Sequence, residues 1–514
     1  MRSLGARLAN TRSTSALAIG MVFTLLLLVR NAIIHSIYGY AFYSDSSLYV
    51  LTGATLFKTW LISPLITLPY PLLNALTRSY QNPLLLIWTQ MVLGALAGGL
   101  LVYIVARRDR LTAIVIGALF VFDIIWAALT RTILTDALFA SFNIMSLALL
   151  VSHYDRRTRV EYRELVLSGL LYAWTLTFRP SSLFLAVCLP PLYMWLTRSW
   201  KKTLALICGM ALFFAVVGLA NWRGTGRFFI LASRDSYTDV GLAYPLFIYK
   251  VYSPDNGPAS RQLDGYLQYC FPGVDYATAV DRAPGGAFDS ANNMTFMQDV
   301  ILCVKSAVGA PELAKGLFPK AYMEAFTKQP FRMIQVLYQE HAVFMRYNNP
   351  YVLRLQLSAS KNSGCHDIPW CDQIRQSHHE WNQEQWLPHI YEKIASKVLQ
   401  VYLVPVGILA GIAPERYHLP FTIAWIGLML FLLLTTRGRI RFLVLLDFLL
   451  IQYTVLVVVL GLGFNERYAS MLSPLQAVLS GVAYATSIRW IAGGLRKYRR
   501  PGANQHTPAL LSCR

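Results

Sequence analysis

The feature that most constrains this chain is a succession of long apolar runs, several of them closed by short clusters of Arg and Lys. A helix needs about 20 apolar residues to cross a bilayer, and basic clusters between such runs mark the cytoplasmic loops of multi-span proteins. The pattern predicts an all-α polytopic membrane protein. The balance agrees, with 55% hydrophobic and only 14% charged residues. A formal charge of +20 could suggest nucleic acid. The basic residues, however, sit between apolar runs and form no patch, so no nucleic-acid partner is expected.

Arg2, Arg7 and Arg12 precede the first run, Ser15–Ile34, which is too long for a signal core and reads as a retained anchor. The N-terminus is then cytoplasmic. Leu48–Leu76, broken by Pro64, Pro69 and Pro71, reads as helices lying along the outer interface. Further spans are expected at Leu84–Val105, Leu111–Leu129, Ala137–Val151, Leu165–Phe178, Ser181–Leu196 and Thr203–Ala220. Pro190 and Pro191 should kink the Ser181–Leu196 span. Leu419–Thr435, Phe442–Leu462 and Met471–Ile488 complete about ten spans. Val398–Ile412 is left over and reads as re-entrant or interfacial.

Four regions follow: a transmembrane core over 1–221, an extracytoplasmic domain over 222–396, C-terminal transmembrane helices over 397–492, and a cytoplasmic tail over 493–514. The extracytoplasmic domain should be mixed or mainly helical. Its clearest helical period covers Ala321–Phe344. It carries Cys270, Cys303, Cys365 and Cys371. Two disulfides are expected in an oxidising compartment, and the local pairing, Cys270 with Cys303 and Cys365 with Cys371, is one of three. A zinc site at Cys365, His366, Cys371, His378 and His379 is the rival, although its spacing fits no standard finger.

On this topology several polar residues collect at the outer face. They are Asp45 and Tyr49 after the first span, Arg131 and Asp136 before the fourth, Arg179 before the sixth, and Glu466, Arg467 and Tyr468 before the last. Ionisable groups at that depth are often functional. Asp45 would equally serve as an N-cap for the helix it opens. Asp123 and Asp447 lie deeper, in the third and ninth spans, without an Arg or Lys at similar depth, and read as core groups. No phosphate-binding loop or dinucleotide fingerprint is visible. Energy for any reaction must come from a pre-activated substrate or a gradient.

Asp45-Ser-Ser-Leu-Tyr49 resembles the first acidic motif of the GT-C glycosyltransferases, which use polyprenyl-phosphate sugars and include the protein O-mannosyltransferases and the lipid A aminoarabinose transferase. Arg131-Thr-Ile-Leu-Thr-Asp136 is similar to their second acidic turn, Arg179-Pro180 to their Arg-Pro turn, and Phe464-Asn-Glu-Arg467-Tyr468 to their late Arg-Tyr motif. The likeness covers the transmembrane core in order. It implies a GT-C-like fold and transfer of a sugar to an acceptor hydroxyl on a glycan, lipid or protein. Asp45 and Asp136 would be catalytic, Arg179 and Arg467 would hold the donor phosphate, and Tyr49, Arg131, Glu466 and Tyr468 would support them. No cofactor is required, although some relatives use a divalent cation. The expected place is the bacterial plasma (inner) membrane, with membrane lipid around the chain and the active site outside. An O-antigen ligase or polymerase and a lipid flippase or transporter are the rivals.

Overall fold

The computed structural model describes residues 2–39, 44–59, 69–156, 159–178, 183–226, 228–230, 242, 246–247, 251–270, 300–308, 316–346, 418–461 and 471–498. Arg179, Glu466, Arg467, Tyr468, Cys365, Cys371 and the Val398–Ile412 run lie outside them. The regular elements among the described residues are helices. In order they are α1 (Arg2–Tyr38), α2 (Ser44–Thr59), α3 (Pro69–Leu76), α4 (Leu84–Ala106), α5 (Arg110–Phe122), α6 (Ile124–Thr130), α7 (Thr135–Asp155), α8 (Tyr162–Phe178), α9 (Leu183–Thr197) and α10 (Trp200–Thr225). Then come α11 (Pro258–Cys270), α12 (Leu317–Lys328), α13 (Pro330–Arg346), α14 (His418–Thr435), α15 (Gly438–Gly461) and α16 (Ser473–Tyr498). A short 3-10 turn, Pro254–Asn256, precedes α11, and 300–308 form one further helical segment.

Among the described residues four helical stretches are long and apolar enough to cross a membrane: Ser13–Ser36, Leu84–Ala106, Thr135–Tyr154 and Trp200–Gly224. A fifth is possible if α5 and α6 count as one span bent by 59°. The chain is thus compatible with an integral membrane protein, but these spans fall short of the ten read from the sequence. The reasons are local. α8 has 17 residues and α9 has 15. α16 is long enough but carries Gln476, Ser480, Thr486 and Arg489 along its length.

α7 is the central helix, with most of its residues buried, whereas α1 and α10 are peripheral. α4 packs between α1 and α7, and α8 packs between α7 and α10. α15 and α16 close the bundle against α7 and α5. Exposed Leu17, Met21, Leu25 and Val29 on α1, with Leu212, Val216 and Leu219 on α10, give the outside an apolar belt suited to lipid. One close helix contact depends on two glycines. A Cβ on Gly169 would lie 2.2 Å from the Leu206 carbonyl, and one on Gly209 would lie 2.1 Å from the Val166 carbonyl. α8 and α10 can approach this closely only because neither position has a side chain.

The third apolar run is not one helix. It breaks at Asp123, whose side chain accepts from Trp126 N at 2.9 Å and so caps α6. Ser473 Oγ of α16 donates to the same carboxylate oxygen at 2.7 Å. Two carbonyls at the break, Phe120 O and Asp123 O, accept from Arg30 Nη1 of α1 in addition to the backbone N–H groups of Asp123 and Ala127. Arg30 also donates to Asn31 Oδ1 and lies over the Trp126 ring. The reading that no basic residue reaches the depth of Asp123 is therefore corrected, because Arg30 does. The fold satisfies the polar groups of a broken span from neighbouring helices, as hydrocarbon requires.

The Ala321–Phe344 period is divided. Pro330 has no amide hydrogen to continue α12, so the chain turns at Gln329 and starts again as α13. α11 and α12 pack together, and Cys270 at the end of α11 is joined by a disulfide to Cys303 in the 300–308 segment. Glu324 of α12 accepts from Ala259 N at 2.9 Å, Ser260 N at 2.8 Å and Ser260 Oγ at 2.8 Å, capping α11. α13 packs against α14 and α15, and His341 Nε2 lies 2.7 Å from Gln452 Oε1. α13 thus touches the C-terminal helices of the bundle.

Candidate active site at the head of α7

The turn between α6 and α7 carries Arg131 and, in the first turn of α7, Asp136. Both are buried, Arg131 to 1% exposure and Asp136 to 0%. Neighbouring helices hold this turn in place. Gln90 of α4 donates from Nε2 to Thr130 O at 3.1 Å and to Thr132 O at 2.9 Å. Its Oε1 accepts from Tyr70 Oη of α3 at 2.9 Å. Arg131 Nη1 donates to Gly39 O, at the end of α1, at 3.0 Å. Arg131 thus fixes the chain entering α2.

Asp45 stands in the first turn of α2. Its neighbour Ser46, fully buried, donates from Oγ to Ile133 O at 2.7 Å. That bond joins residues 87 apart in sequence. It brings the head of α2 against the turn that precedes Asp136. An acid in the first turn of a helix is favoured by the positive end of the helix dipole, and Asp136 occupies that place in α7. Beside it the buried Thr135 Oγ1 has no hydrogen-bond partner among the described residues. The arrangement can present a carboxylate and a hydroxyl to a polar ligand.

Tyr49 is one turn further along α2. It is buried, and its ring meets Tyr70 edge-on at 5.0 Å. Tyr70 in turn lies 6.4 Å from Phe178, the last residue of α8, which stacks on Phe142 of α7 at 5.5 Å. This aromatic row fixes the end of α8, the residue before Arg179. Tyr49 is a packing residue in it.

Asp45, Tyr49, Arg131 and Asp136 are thus gathered on adjoining elements. Sequence reasoning missed Ser46, Tyr70 and Gln90, which set the turn. A glutamine inside the run Leu84–Val105 was the available signal, since a polar group in hydrocarbon must be bonded. Among the described residues no three His, Cys, Asp or Glu come together as a metal would require. Neither a protein-family model nor a curated protein matches this chain.

Proposed function

We propose that the chain is a GT-C-type membrane glycosyltransferase that moves a sugar from a polyprenyl-phosphate donor to an acceptor hydroxyl at the extracytoplasmic face. The reading is supported above all by the Ser46 bond to Ile133 O, which brings the two acidic motifs together across 87 residues. Asp45 takes the acceptor's proton as its oxygen attacks the anomeric carbon. The bond to the lipid phosphate breaks, and the sugar is inverted. Arg179 and Arg467 neutralise the departing phosphate, for which permanently charged guanidinium groups are suited. Asp136 orients the reacting groups, with Arg131, Tyr49, Glu466 and Tyr468 in support. The shorter helices complete a topology of about ten spans, with this site outside.

Membranes containing the chain, given a panel of labelled polyprenyl-phosphate sugars, should transfer one of them. Purified Asp45→Asn should keep its helical content and lose transfer by roughly 100- to 10,000-fold. Undiminished transfer by the well-folded variant removes Asp45 from the mechanism. A cysteine beside Asp45, in a background without the native ones, should react with an impermeant maleimide in intact cells. Labelling only after permeabilisation would reverse the sidedness.

A further inference from the structure

The opposite end of α7 holds polar groups that the proposed transfer does not use. His153, seventeen residues or about 25 Å along the helix from Asp136, is 2% exposed. Tyr193 of α9 is 1% exposed, and the two rings meet edge-on at 6.0 Å. His153 Nδ1, Tyr193 Oη and Arg156 Nε have no hydrogen-bond partner among the described residues. The other arm of the Arg156 guanidinium reaches Glu164 at 3.1 Å, which holds it in place. Lys202, at the start of α10, adds positive charge that bears on His153. A buried imidazole, a phenol and a guanidinium N–H that find no acceptor among the described residues are a set of donors suited to an oxyanion.

What lies next to them narrows the class of anion. A cavity of about 380 Å³ runs between α7, α8, α9 and α15, and its walls are almost wholly apolar. Leu150 lines it one turn before His153, and Leu189 lines it one turn before Tyr193. His153 and Tyr193 therefore lie one turn beyond residues that line an apolar chamber, which a free inorganic anion does not need.

We propose that His153, Tyr193 and Arg156 bind the phosphate of an anionic phospholipid whose acyl chain enters this cavity. The site lies at the membrane face opposite Asp136, is independent of the glycosyl-transfer reading, and makes the protein's stability depend on lipid composition. Basic clefts between transmembrane helices commonly take such headgroups.

The test uses the full chain purified in detergent, with native mass spectrometry of retained lipid. Phosphatidylglycerol should be retained in preference to phosphatidylcholine. Tyr193→Phe, which removes one hydroxyl and keeps the ring, should weaken that retention roughly tenfold to a hundredfold. Leu192→Trp, which fills the cavity and leaves the donors alone, should weaken it as well. Should Tyr193→Phe not fold, His153→Gln reads the same donor set. No preference between the two lipids, an unchanged Tyr193→Phe or His153→Gln, or displacement by an equal concentration of inorganic phosphate would each overturn the proposal.

Discussion

Two of the buried aspartates in the helical bundle, Asp123 and Asp447, have opposite surroundings. At the Asp123 break Trp126 N and Ser473 Oγ reach the carboxylate, and Arg30 reaches the Phe120 and Asp123 carbonyls. Around Asp447, in the middle of α15 and with 0% exposure, neither carboxyl oxygen has a hydrogen-bond partner among the described residues. The backbone N–H of Leu479 in α16 faces it without reaching hydrogen-bonding geometry. Burial alone therefore does not make an acid part of the architecture. The first is a capping residue on which a bent span depends. The second is a polar group that the fold tolerates at a cost.

Substitutions can separate the two. Arg30→Met should be the most damaging, because it removes two charged hydrogen bonds to the buried Phe120 and Asp123 carbonyls, leaving each with a single backbone N–H. A loss of about 3–5 kcal/mol is expected, read as a shift in unfolding in detergent micelles. Asp123→Ala should cost about 2–4 kcal/mol, through the lost cap and the stranded Ser473 hydroxyl. If Asp123→Ala melts like the unchanged chain, the contrast is void.

Glu324 supplies an intermediate case, a capping carboxylate outside the spans. Partial burial works to raise its pKa, but the amides of Ala259 and Ser260, the Ser260 hydroxyl and the Arg261 charge outweigh it, so the carboxyl lies below its ordinary 4.5. A depressed folded value means that its stabilisation is fully present above the ordinary value and is lost as pH falls through the folded one. Glu324→Gln should cost about 1 kcal/mol at neutral pH. It should also flatten the acid limb of the α11–α12 melting profile, followed by hydrogen exchange. The smallest effect belongs to Asp447→Leu. With no hydrogen bond to lose, stability should stay level or rise by about 1 kcal/mol. A loss above about 2 kcal/mol would show that Asp447 has a partner that matters.

These contrasts mark how far the sequence could be read. The positions of α1, α4, α7 and α10 followed from apolar runs and their basic ends, because hydrocarbon leaves few alternatives. Ahead of α4, Asn82 Oδ1 accepts from Leu84 N. The break at Asp123 was not legible, because no Pro or Gly marks it and its cause lies 93 residues away in Arg30. Pro330 was a visible breaker, yet the apolar period running through it hid the division of α12 from α13. At the candidate site the acids stood out by type. The residues that position them, Gln90 and Ser46, did not, because they act through backbone carbonyls of distant segments.

The break at Asp123 has a further consequence, for the way the chain enters its membrane. A span whose backbone ladder is interrupted near its middle is a poor passenger in lipid alone. Arg30 is translated some ninety residues before the break and lies at the far end of the first long apolar helix. A chain inserted from its N-terminus therefore has the guanidinium in place before α5 and α6 arrive. The two are then expected to leave the insertion machinery as a pair with α1, so that Arg30→Met would appear first as failed integration of the α5–α6 segment in a glycosylation-mapping assay.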